Sequence, residues 1–152
     1  MGENSDSTIS ALAEVDAETA ESDLLTLRSR HPKLVIQMVS MAHIPSTWAL
    51  RMIAAQTLRA RKMKCLLAAK PEVDLLLRVA GTSQISEAME KSGYKAKGKR
   101  LLIATGGEAE MKALRKALSK MPAYSAREEE TGKPDKEGMQ AVERAALLGT
   151  RT

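Results

Sequence analysis

The chain has 152 residues, 43% of them hydrophobic, with nine Met, one Trp, two Tyr, no Phe, a single Cys and a formal net charge of +5. That composition predicts one domain over residues 1–152 with an aliphatic, methionine-filled core, and Cys65, without Cys or His partners at ligand spacing, excludes an intrachain disulfide and argues against structural zinc. The opening MGENSDST has no apolar leader core and no run approaches the ~20 apolar residues of a membrane span, so a cytoplasmic protein with residues 1–7 disordered is expected.

In chain order, Thr8–Ala13 is predicted as a short strand and Asp16–Arg30 as a helix that stops before His31-Pro32. Lys33–Met41 is β-rich and mostly apolar, which predicts a strand covered on both faces at the centre of a sheet. Pro45–Lys62 reads as a helix and Lys64–Ala68 as another short strand, with Cys65 a small buried thiol within it. Pro71 then opens a helix with Glu72 and Asp74 in its first turn, and Gly81 ends it. Thr82 or Ser83 can cap the next helix, which carries Ile85, Ala88 and Met89 on one face and stops at Gly93. Arg100–Thr105 is a strand ended by Gly106-Gly107, Glu108–Lys120 an amphipathic helix, residues 124–136 a loop, and Glu137–Leu148 the last helix. Strands separated by helical connections imply an α/β domain, a mixed sheet flanked by helices, with a helix-Gly-Thr-helix corner.

Charge is distributed unevenly. Residues 1–23 hold seven acids and no bases, whereas Leu24–Pro71 and Lys91–Gly107 hold only bases. Two acid-free windows form the expected footprint of a polyanion binder, the alternative being a solvated basic face. The helix around Trp48, Met52, Ile53 and Leu58 is apolar in nearly every direction, so it is buried on more than one side. Either the domain core covers it entirely, or one side meets a protein partner through Trp48 or Met52. His31 and His43 belong to no metal-binding pattern, and no phosphate-binding glycine loop is present, so no catalytic residue, metal or cofactor is assigned.

The order acid, Leu75, Leu76, Val79, Ala80, Gly81, Thr82, Gln84, Ile85, Ala88, Gly93 resembles the small accessory subunit of the KEOPS complex, the family of PRPK-binding proteins (TPRKB). The likeness is strongest over Pro71–Ala104, and the succession of elements from Ile9 onward is similar too. Ser83 stands where the family pattern has a basic residue, and Tyr94 where it has a small aliphatic one. The resemblance implies a non-catalytic subunit of the assembly that installs threonylcarbamoyladenosine on tRNA. Such a subunit docks on the small lobe of a PRPK-type atypical kinase and helps hold the 3′ CCA end of tRNA, with no small-molecule substrate and no membrane. On this sequence the expected tRNA contacts are Lys33, Arg78, Ser83, Gln84, Ile85, Lys91, Lys95 and Lys99, and the kinase contacts expected from the outward apolar positions of the two helices are Trp48, Met52, Ile53 and Leu76. A competing reading takes the corner as a helix-turn-helix with a wing over Lys95–Ile103, but Glu87 and Glu90 on its second helix would face DNA phosphates.

Overall fold

The computed structural model describes residues 6–43, 46–127 and 135–149. Strand β1 (Asp6–Ala13) leads through helix α1 (Ala17–Arg30) to β2 (Val35–Ser40) and a 3₁₀ turn at Met41–His43. Three helices follow, α2 (Thr47–Lys62), α3 (Pro71–Ala80) and α4 (Ile85–Ser92), then β3 (Arg100–Gly107), α5 (Glu108–Ser119), β4 (Tyr124–Arg127) and α6 (Lys136–Leu148). Short polar side chains set the helix starts. Asp16 accepts the Thr19 N–H at 2.7 Å, Ser46 Oγ the Ala49 N–H at 3.1 Å, and Asp135 the Gly138 N–H at 2.7 Å.

The strands lie in the order β2-β3-β1-β4 and every pairing is antiparallel, with Thr8 opposite Thr105 and Ser40 opposite Arg100. The α/β class expected from the sequence holds; the mixed sheet does not. Helix α1 does return β2 in the direction of β1, but β3 inserts between those two strands and runs against both. In the same way β1 separates β3 from β4, so two split β-α-β units interleave.

Alternation along the strands divides the core into two layers. Helices α1 and α5 cover Ile36, Met38, Leu102 and Ala104 on one face, while α2, α3, α4 and α6 cover Val35, Val39, Leu101 and Ile103 on the other. Much of the apolar surplus of α2 is therefore consumed inside the domain: Leu50, Ile53, Ala54 and Leu58 enter the core. Helix α6 lies along another side of it, where Gln56 Nε2 donates to the Val142 carbonyl at 3.0 Å.

Four further expectations are corrected. Strand β2 is buried throughout but stands at the sheet edge, because side chains seal that edge in place of another strand. Arg28 Nε donates to the Ile36 carbonyl at 2.9 Å, the Met38 N–H donates to Gln37 Oε1 at 3.0 Å, and Gln37 Nε2 reaches the Glu72 carbonyl at 2.8 Å. Residues 64–68 form no strand: Lys64 turns the chain at φ 59° and Cys65 is exposed. Tyr124–Arg127 is strand β4 where a loop was expected, paired with Ser10–Ala13 of β1. Asp6 and Ser7, expected to be disordered, begin β1, whereas residues 1–5 and the acidic run at 128–130 lie outside the described residues.

Candidate binding site at the helix corner

Helix α3 starts with Pro71 and ends at Gly81, whose left-handed φ of 74° lets the chain reverse tightly into α4. Thr82 organises the turn. Its Oγ1 accepts the Gln84 N–H at 3.1 Å and donates to Glu87 Oε2 at 3.2 Å. Gln84 thus takes the capping position, with no cap bond from its side chain, and the first intrahelical bond runs from the Ala88 N–H to the Gln84 carbonyl at 2.9 Å. The N–H groups of Ile85, Ser86 and Glu87 are left without helical partners, and the Ser83, Gln84 and Ile85 side chains are exposed around them. Lys91 ties the two helices together by donating to the Ala80 carbonyl at 3.1 Å.

Arg78, read as a tRNA contact, is instead 5% exposed. Its Nε donates to Asp74 Oδ1 at 2.8 Å and its Nη1 to the Ala145 carbonyl at 3.1 Å, while Asp74 also accepts from Thr57 Oγ1 at 2.7 Å and from the Leu67 N–H at 2.8 Å. A guanidinium bound into a buried network linking α2, α3 and α6 has nothing to offer a phosphate. Leu76 and Ile53 are likewise core residues, 3% and 4% exposed, too buried to anchor a protein-protein interface. Met52 does face outward, at 41% exposure. Trp48 is half-buried, its ring edge against Gly138 at the start of α6.

The basic side chains separate into distinct places. Lys33 lies beyond the β2 end that pairs with Thr105, its Nζ 4.0 Å from Glu110 Oε1. Lys95 and Lys99 lie at the opposite end of β3, roughly 20 Å away along the strands. Loop 93–99 is pinned there by the Met41 N–H on the Lys99 carbonyl at 2.8 Å and by Ser40 Oγ on the Lys97 carbonyl at 2.5 Å. Other cations are already occupied. Lys62 pairs with Asp6 at 2.5 Å, so the acidic N-terminal segment neutralises part of the first basic window, and Arg100 donates to the Val15 carbonyl at 2.7 Å and to that of Tyr94.

Two features of this region carried no sequence signal. The first is Arg144 of α6, which lies directly on Gly81: a Cβ at that glycine would fall 2.6 Å from Arg144 Nε. Exposed and without an ion pair among the described residues, Arg144 sets a cation beside the corner where Ser83 supplies none. The second is a pocket of about 150 Å³ between α1, α3 and α4, lined by Ile85 and Met89 together with Arg28, Lys70, Glu72 and Tyr94. Lys95 Nζ stands 5.9 Å from the centre of the Tyr94 ring.

Among the described residues, no three His, Cys, Asp or Glu side chains group to hold a metal ion, and no helix is long and apolar enough to cross a membrane. No family model and no curated protein matches the chain.

Proposed function

We propose that this protein is a non-catalytic binding subunit of a KEOPS-type assembly in the cytoplasm, holding the 3′ end of tRNA at the Gly81–Ile85 corner and docking a PRPK-type kinase through the outer side of α2. The observation that carries this reading is the corner itself. Unpartnered N–H groups at the start of α4, the exposed amide of Gln84 and the apolar surface of Ile85 surround a turn flanked by Arg144. Such a set offers donors to a phosphate or a base carbonyl, both a donor and an acceptor to a base edge, and a ledge for its face.

RNA-binding sheets commonly stack bases on exposed aromatic residues of an open face. Here both faces are covered by helices and the chain has only three aromatic residues, one Trp and two Tyr, so contact by hydrogen bonds and aliphatic surface fits better. On the kinase side, Met52 and the accessible part of Trp48 remain as anchors, while Ile53 and Leu76 drop out. The winged DNA reading loses support. Strand β3 is paired on both sides, which leaves no free hairpin to act as a wing, and the exposed side of the eight-residue α4 carries Glu87 and Glu90.

Co-precipitation of the purified chain with tRNA and, separately, with a PRPK-type kinase tests the proposal. Retention of both is expected. Retention of neither, or a preference for palindromic duplex DNA over tRNA, overturns it.

A further inference from the structure

Arg28 sits in the last turn of α1, half-buried, with its Nε committed to the Ile36 carbonyl at 2.9 Å. No ion pair satisfies its charge among the described residues. Burial pulls its pKa down, and the charge of Glu72 offsets this only in part. A desolvated, unpaired cation is costly, and an incoming anion relieves that cost. With Nε committed, the outer N–H groups of the planar guanidinium remain as the fork that matches a carboxylate.

The surroundings specify the rest of the ligand. Val73, Leu76, Ile85 and Met89 give the pocket an apolar wall, and its volume of about 150 Å³ is that of a cavity able to take a benzene-sized group. Arg28, Lys70 and Glu72 line the same space, two cations against one carboxylate, a surplus that a singly charged acid balances and a dianionic phosphate exceeds. We propose that this pocket binds a small apolar monocarboxylate, its charged end on Arg28 and a benzene-sized body against Ile85 and Met89. The ligand is either a free acid or the C-terminal residue of another polypeptide.

Methyl-detected NMR titration of the full chain with benzoate and with benzamide is the direct test. Benzoate should shift the Ile85, Met89 and Leu76 methyls with a Kd roughly tenfold or more below that of benzamide, since the neutral amide forgoes the charge-assisted bond. N-acetylphenylalanine binding more tightly than benzoate identifies a chain terminus as the source; weaker binding identifies a free acid. Ile85→Ser, at an exposed position, should weaken benzoate several-fold in a folded protein, and Glu72→Gln should strengthen it by removing the competing charge. The proposal is overturned by equal binding of benzoate and benzamide, by shifts outside the pocket, or by Glu72→Gln leaving benzoate affinity unchanged or reduced. Cytidine monophosphate displacing benzoate with higher affinity also overturns it, in favour of a nucleotide site.

Discussion

Arg78 and Lys95 carry the same charge in the sequence but belong to different physical regimes. Arg78 is buried with Asp74, so removing one partner strands the other in a low-dielectric interior. Arg78→Ala should therefore cost about 3–5 kcal/mol, whereas Lys95→Ala, at an exposed position, should stay within about 0.5 kcal/mol. Urea denaturation of both variants measures the contrast, and comparable small losses would show that Arg78 is not structural. Tyr124 supplies a pH dependence. Burial, then the hydrogen bond to Asp23 at 2.7 Å, raises its pKa far above the usual value. The folded state thus keeps the phenol protonated after the unfolded chain begins to ionise, so the stabilisation is complete below pH ~10 and is lost as pH rises beyond it. Tyr94 shifts in the same direction, chiefly through its hydrogen bond to Glu21. Tyr124→Phe should therefore reduce the drop in urea midpoint between pH 9 and pH 11 without abolishing it.

At the scale of elements, the corner and α2 each separate a binding role from a structural one. Thr82 and Gly81 build the turn, but the Gln84 side chain forms no cap bond, so its loss should leave the fold intact. If the corner grips the tRNA 3′ end, fluorescence anisotropy should show weaker binding of tRNA lacking its terminal CCA, and Gln84→Ala should erase that difference. Ser83→Arg should strengthen binding to intact tRNA by adding a cation beside the free N–H groups. Equal affinity of the wild-type chain for intact and CCA-less tRNA would remove the corner from the tRNA site. On α2, the successive residues Met52 and Ile53 differ sharply in exposure, 41% against 4%. Met52→Glu should preserve the fold and weaken kinase binding by about 2 kcal/mol or more if Met52 is an interface anchor. Ile53→Glu, by contrast, should unfold the domain, because it buries a carboxylate among Val39, Leu50 and Leu75.

At the scale of the whole molecule, the distribution of cations predicts how salt acts on tRNA binding. The logarithm of affinity should fall with the logarithm of salt concentration by ~0.7 per phosphate neutralised on a single strand. Arg144→Ala and Lys95→Ala, near the corner and its pocket, should each flatten that slope, while Lys33→Ala, at the far end of the sheet against Glu110, should not. Binding indifferent to salt would eliminate a phosphate-contacting surface of any location.

Sequence alone determined whatever depends on neighbours a few residues apart. Helices α1 to α6 were legible within a few residues because capping side chains, prolines, glycines and apolar periodicity act locally, and the corner was legible because Gly81 must adopt a conformation that other residues avoid. The tertiary structure decided the rest. Strand β2 is as apolar as a central strand, so only the insertion of β3 between β2 and β1 shows it to be an edge, and only pairing with β1 makes a strand of the polar Tyr124–Arg127. The same limit applied to charge. Nothing near Arg78, Lys62 or Arg144 in the chain tells that the first is buried under Ala145, the second paired with Asp6 and the third laid upon Gly81. Those fates follow from which distant segment packs alongside, and a side chain's burial and partners are properties of that packing, not of its position in the sequence.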